Sequence, residues 1–396
     1  MSEIAVPVGG KALNGPGKVL FGLTLLGIVL MIWRFAVGLG PSTGLSDGYP
    51  WGIWIAFDVV TGTALACGGY AMALLVYVMN RGKYHPLVRP AILTSALGYS
   101  IAALAIVVDV GRPWFIWRIP LSVDKWNHAS ALLEVALCVM AYVVVLWIEM
   151  SPAFIEKWKT QDTSLGNAAR NVSGALDKAL LWIIALGILL PTMHQSSLGT
   201  VIMLAGPRLH PLWHTAWLPL LFLLSCIAMG YAVVVMESTL ASRGFGRAKE
   251  DKMLASLGGV IAYVLLAYVV LRIVDIVIHG KLGLVFQFDL YSWMFLLEMV
   301  LFLAPAFYLL AGRGKTRIGG MFRAALAIIL AGSLYRFDAY LVAFNPGKGW
   351  SYFPSIPEMF ITIGLVAAEI LLYIVLVRRF PILGGAPKPL TATRRK

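Results

Sequence analysis

Ten mostly apolar stretches alternate with short polar connections, at about 17–38, 53–79, 91–110, 128–150, 176–204, 213–237, 255–279, 290–312, 320–343 and 357–380. A helix needs roughly 20 such residues to cross a bilayer, so the pattern predicts an all-α integral membrane protein with about ten transmembrane helices. An even number of spans puts both termini on one side. The expected segmentation is a tail at 1–16, a four-helix bundle at 17–150, a loop at 151–175, a second four-helix bundle at 176–312, two additional helices at 320–380 and a tail at 381–396.

A weak internal repeat supports the two bundles. The third span ends IVVDVGR and the fourth holds LLEVAL, while the seventh holds IVDIVI and the eighth LLEMVL. Asp109 and Glu134 are thereby echoed four helices later by Asp275 and Glu298. Chance likeness among apolar helices competes with this reading.

Composition agrees with the membrane class: 60% of residues are hydrophobic and 13% charged, where a soluble domain carries about 25% charged. A formal charge of +13 would suggest nucleic acid in a soluble protein. Here the cations sit in loops, so lipid and not nucleic acid is the expected partner. Of the 32 Lys and Arg, 23 fall in the tails and alternate loops, six on the opposite side, and Arg34, Arg272 and Arg336 within or at the ends of spans. Short cytoplasmic segments are the ones enriched in Lys and Arg, which places both termini in the cytoplasm. The first apolar run lacks a small-residue cleavage site and reads as a retained span.

Ionisable groups inside a bilayer are costly unless paired or hydrated, so each is a functional candidate. Asp58, Asp109, Glu134, His194, Arg272, Asp275, Glu298, Arg336 and Asp338 all fall in the outer half of their spans, whereas Glu369 lies about 18 Å down the last one at 1.5 Å per residue. The bland reading makes Arg272 with Asp275, and Arg336 with Asp338, structural ion pairs. The functional reading is quinone reduction, which needs proton donors for two carbonyl oxygens beside an apolar cleft. Glu134 and His194 are the first candidates for those donors, because a carboxyl in a low-dielectric site and an imidazole both exchange protons near neutral pH. Glu369, with Glu298 and the Arg336–Asp338 pair, and with Arg272 and Asp275, would extend a proton route inward.

Cys67, Cys138 and Cys226 stand singly in apolar segments, too few for an iron-sulfur cluster or zinc site. Of the six histidines only His194 is well inside a span, whereas bis-His ligation needs two facing at similar depth. No metal, cluster or haem is therefore expected in this chain. The outer loops GLSDGYPWGIW, RPWFIWRIPLSVDKWNH and FNPGKGWSYFPS are rich in aromatic residues. They suit an interfacial belt or, as a set, a low-charge platform for a partner protein.

Several segments resemble the NrfD-like family of polysulfide-reductase membrane subunits, and within it the branch serving nickel-iron hydrogenase-2. They are GYPWGIWIAFDVVTGTALACGGYA, NRGKYHPLVRPAILTSALGYS, DVGR, LLPTMHQSSLGT, HPLW and LVAFNPG followed by YFP. The resemblance implies a subunit of the bacterial cytoplasmic membrane without its own redox cofactor. It would sit beneath a periplasmic ferredoxin-like iron-sulfur protein that carries electrons from hydrogenase large and small subunits to menaquinone or ubiquinone. It also implies a quinone pocket near the outer face of the first bundle, which maps onto Asp58, Asp109, Arg112, His128, Glu134, His194 and Gln195. In this mechanism Glu134, His194 and Asp109 serve the protonation. Other branches would give an anchor for a polysulfide, nitrite or molybdopterin enzyme, and a secondary transporter is the reading from a different class.

Overall fold

The computed structural model describes residues 5–156, 158–159, 161–246, 250–312 and 317–384. Lys157, Arg247, Lys249, Arg313, Lys315 and the basic tail beyond 384, all used in the charge count, lie outside the described residues. Among the described residues, ten helices are long and apolar enough to span a membrane: α1 (Gly15–Val37), α2 (Trp54–Val78), α3 (Gly82–Asp109), α4 (Ala131–Ile155), α5 (Ser164–Met203), α6 (Leu218–Gly244), α7 (Asp251–Ile278), α8 (Leu290–Gly312), α9 (Ile318–Val342) and α10 (Ile356–Arg379). No strand occurs among the described residues beyond two isolated bridges. The outer end of each helix is the one that the charge count assigns to the side poor in Lys and Arg.

Polar residues fix where the helices begin. Asn14 Oδ1 accepts from the Gly17 N–H at 3.0 Å, Thr163 Oγ1 from Gly166 N–H at 3.1 Å and Ser130 Oγ from Leu133 N–H at 3.3 Å. Ser355 and Glu358 form a capping box with Pro357 in the first turn of α10, which satisfies donors that have no partner inside the helix.

Helices α2 to α5 close one four-membered ring and α6 to α9 a second, joined where α2 and α5 meet α6 and where α2 meets α9. The two helices outside the bundles are α1 and α10, packed on each other and on α3, and not the ninth and tenth. Apolar residues serve equally against lipid and against protein, so span order alone did not reveal which helices are peripheral. The observed grouping keeps the four-helix offset of the repeat.

Small residues set the closest approaches. A Cβ on Gly364 of α10 would lie 2.6 Å from Gly27 Cα of α1, and one on Gly230 of α6 2.6 Å from the Cys67 carbonyl of α2. Backbone contact of this kind substitutes for a hydrophobic driving force inside lipid. Replacing Gly364 with leucine is expected to push α1 off α10 and destabilise the protein by about 1–3 kcal/mol. Thermal unfolding in mild detergent checks it, and a wild-type midpoint would show that the crossing contributes nothing.

Two stretches depart from α-helical winding at acidic residues: Trp54–Thr61, holding Asp58, and Asp338–Val342 are π-helical. The wider turn re-aims side chains and often marks functional positions. Three outer connections interlock above the bundles. Tyr49 OH donates to the Phe344 carbonyl at 3.1 Å, Trp51 Nε1 to the Tyr340 carbonyl at 2.8 Å, and His210 N–H to the Ala343 carbonyl at 2.9 Å. The aromatics of the first and last outer loops thus turn partly inward. Those between α3 and α4 remain outside, with Trp114 63% and Trp117 54% exposed.

Candidate functional site

Where the two bundles meet, Arg336 is fully buried and donates all five of its N–H bonds. Its acceptors are the Val60 carbonyl (3.1 Å), Ser225 Oγ (2.8 Å), Met229 Sδ (3.6 Å), Gln195 Oε1 (3.1 Å) and the Phe222 carbonyl (2.9 Å). Gln195 in turn donates to Thr63 Oγ1 at 3.1 Å. One guanidinium therefore ties α9 to α2, α5 and α6. The expected partner Asp338 is not among its contacts, because side chains two apart on a helix point to different faces. Asp338 is buried with neither carboxylate oxygen hydrogen-bonded.

The other expected ion pair is also re-partnered. Arg272 approaches Glu298 Oε1 at 3.9 Å and donates to the Leu212 carbonyl at 3.0 Å. Glu298 further accepts from Tyr268 OH at 2.8 Å and Trp213 Nε1 at 3.1 Å. Asp275 instead takes the Thr215 hydroxyl, His279 at 3.1 Å and Lys281 at 3.5 Å. These contacts build a second polar cluster, inside the α6–α9 bundle.

Beside the Arg336 hub, His194 is fully buried and neither ring nitrogen has a hydrogen-bond partner. Tyr99 of α3 meets it edge-on at 5.7 Å, and Tyr142 of α4 meets Tyr99 at 4.6 Å. Tyr99 OH also lies 3.5 Å from Cys67 Sγ. Glu134, Cys138 and Tyr142 are spaced four apart, so they share one face of α4. Partly exposed Glu134, in the first turn of that helix, lies on the same face two turns outward of Tyr142, from which ring contacts lead through Tyr99 to His194.

The other residues expected in one pocket are dispersed. Asp58 faces α10, accepting from Thr362 Oγ1 at 2.7 Å, while Thr63 on the same helix faces Gln195. Asp109 lies beside Arg34, which donates to the Val110 carbonyl at 2.7 Å. Arg112 and His128 are exposed in the α3–α4 connection. Glu369 turns to α3, where a Cβ on Gly98 would stand 3.1 Å from its Oε1 and Asp58 is its charged neighbour.

Glu237, near the inner end of α6, is a further partly buried acid that the sequence did not single out as a site residue. It accepts from Thr94 Oγ1 at 2.9 Å and from Tyr373 OH at 2.6 Å. Thr94 precedes Gly98 by one turn and Tyr373 follows Glu369 by one turn. A file of Glu237, Tyr373, Glu369, Asp58 and Thr362 thus climbs from the inner end into the outer half. The four-residue spacing of Glu369 and Tyr373 was the available signal.

Known proteins resemble this chain over most of its length. It is 42% identical, over 97% of its own length and 96% of the relative's, to a probable Ni/Fe-hydrogenase 2 b-type cytochrome subunit of Escherichia coli. It is 28% identical, over 88% and 86%, to the integral membrane subunit of a menaquinone reductase of Nitratidesulfovibrio vulgaris. A third relative, 22% identical over 92% and 93%, belongs to the selenate reductase of Mesobacillus selenatarsenatis.

The first of these names corrects the expectation that the chain holds no haem, since a b-type cytochrome is a haem protein. The described residues do not present a bis-histidine pair for one. His194 is a buried imidazole with both nitrogens available, but His85, His128, His210, His214 and His279 all lie at helix ends or in connections. His210 is stacked on Tyr291 at 4.2 Å, and burial lowers its pKa against the opposing charge of Asp289. Residues 41–319 match the family described as polysulphide reductase, NrfD, and the chain belongs to that family.

Proposed function

We propose that this chain is the quinone-reducing membrane subunit of a hydrogen:quinone oxidoreductase in the bacterial cytoplasmic membrane, with both termini in the cytoplasm. Electrons from nickel-iron hydrogenase large and small subunits arrive through a ferredoxin-like iron-sulfur subunit on the periplasmic face. The observation that carries this reading is His194, a fully buried imidazole with both nitrogens unpartnered at the end of the Glu134–Tyr142–Tyr99 line. A menaquinone or ubiquinone that gains two electrons must gain two protons, and a neutral imidazole backed by hydroxyls and an acid supplies them. Above the line, the exposed Trp114 and Trp117 offer a partner the large amphipathic anchors typical of interface cores. The relative named as a menaquinone reductase subunit supports the quinone as substrate.

In this reading Gln195 and Arg336 hold α5 in register so that the His194 ring is fixed. Asp58 and Asp109 sit on the far side of α2 and α3 and serve proton supply. Arg112 and His128, exposed at the outer face, serve the partner or the pocket mouth. The file through Glu237, Tyr373 and Glu369 carries protons from the inner side. The Arg272, Asp275, Glu298 and Asp338 cluster stands apart from it.

Tagging the C-terminus, purifying from native membrane and identifying the co-purifying chains tests the whole reading. Recovery of hydrogenase subunits with an iron-sulfur protein, and hydrogen-driven menaquinone reduction by that complex, are expected. Recovery with a different catalytic partner would assign the chain to another quinone-linked oxidoreductase, and purification alone would return it to the transporter class. In proteoliposomes, Glu369→Gln is expected to reduce the pH change per hydrogen to the scalar value while dye-linked hydrogen oxidation continues. An undiminished pH change would remove the inner file from the mechanism.

A further inference from the structure

A cleft of about 600 Å³ opens between the bundles toward their inner ends, and His194 is not in its lining. Its walls are apolar: Leu74, Val78 and Met79 of the α2 end, Ile227 of α6, and Val260 and Val264 of α7. Its rim is cationic and hydroxylic, formed by Arg81, Lys83, Tyr84 and Ser256. Val78 and Tyr263 are 63% and 70% exposed, so the cleft faces lipid.

The rim is a built feature of the α2–α3 turn. Asn80 adopts a left-handed backbone, φ 52°, and the Arg81 N–H reaches back to the Leu75 carbonyl at 3.1 Å. That turn lifts Arg81 and Lys83 to the mouth. Lys83 Nζ donates to Ser256 Oγ at 2.6 Å, and Tyr84 OH lies 2.9 Å from the same oxygen. These bonds join α3 of one bundle to α7 of the other. On α7, the position of Gly259 opens into space, with nothing within 4 Å of where a Cβ would be.

The geometry points to an anionic phospholipid as the occupant: its phosphate held by Arg81 and Lys83 with the hydroxyls of Tyr84 and Ser256, an acyl chain lying along the apolar wall between the bundles. Basic pockets between transmembrane helices on the cytoplasmic side are matched to the anionic inner leaflet. A quinone head carries no charge and would leave both cations unanswered. A free phosphate would leave the apolar wall unfilled. The lipid acts as a clasp at the rim, where Ser256 links α7 of one bundle to α3 of the other.

The test uses the full complex purified from native membrane in mild detergent. Bound lipid per chain is measured by mass spectrometry, and rebinding is measured with phosphatidylglycerol and with phosphatidylcholine after delipidation. Wild type is expected to retain anionic lipid and to prefer phosphatidylglycerol. The double variant R81Q/K83Q is expected to rebind it roughly thirtyfold more weakly, as befits two basic side chains near the membrane surface. Gly259→Leu keeps every charge and narrows the cleft, so it should weaken retention of the lipid. Equal binding of both lipids by wild type, or unchanged phosphatidylglycerol retention in Gly259→Leu, would overturn the proposal. Recovery of an isoprenoid quinone from wild type that disappears in Gly259→Leu would give the cleft to that occupant instead. Should R81Q/K83Q fail to insert, the Gly259 variant decides alone.

Discussion

Replacing Arg336 with leucine is expected to abolish accumulation of the folded protein in the membrane. Removing the guanidinium strips a hydrogen bond from the Val60 and Phe222 carbonyls, the Ser225 hydroxyl and Gln195 Oε1, all at buried positions on three different helices. The Phe222 carbonyl keeps the Ser225 hydroxyl at 3.0 Å, but each other buried acceptor that loses its partner costs about 1–3 kcal/mol, and neither water nor lipid reaches in to replace it. Several such losses together are comparable with the whole stability margin of a typical domain. Lysine keeps the charge but offers three donors from one point, where the site was cut for a planar fork of five. It should recover part of the abundance with a lowered unfolding midpoint. The measurement is the amount of chain in the membrane fraction and its thermal midpoint in detergent; wild-type values for the leucine variant would refute the hub.

That prediction could not have been made from the sequence. Apolar runs revealed all ten spans because a bilayer imposes one length and one composition on every crossing, and the α1 to α10 limits agree with them to within a few residues at most ends. The inner ends of α3, α5 and α6 run longer, because a helix continues past the hydrocarbon wherever polar residues still form it. α5 begins at Ser164 rather than near 176. Charge partners were misread for a related reason. Arg272 and Asp275, or Arg336 and Asp338, are neighbours along the chain, but each helix projects them toward different helices. Only the three-dimensional arrangement brings Glu298 to Arg272, and Gln195 and Ser225 to Arg336. His194 was legible as a candidate by its depth alone. Its tyrosine neighbours were not, because Tyr99 and Tyr142 look like ordinary core aromatics until α3, α4 and α5 are packed.

Replacing Glu134 with glutamine is expected to lower hydrogen-driven quinone reduction at least roughly a hundredfold, the smallest contribution typical of a positioned acid–base group. Hydrogen oxidation with artificial dyes should continue at the wild-type rate. Glutamine keeps the length and planarity of the side chain in the first turn of α4, and the Ser130 cap at 3.3 Å is untouched, so folding and partner docking are preserved. What disappears is the transferable proton at the head of the Tyr142–Tyr99–His194 line. Replacing Tyr99 with phenylalanine keeps the ring packed against His194 while removing its hydroxyl. That variant should fall between wild type and Glu134→Gln if the proton passes along the tyrosines. If it matches wild type while Glu134→Gln is inactive, the acid delivers its proton to the quinone directly and the aromatic line serves to hold His194 in place. Wild-type turnover in Glu134→Gln would remove Glu134 from the chemistry and leave the buried His194, Tyr99 and Tyr142 to supply the protons.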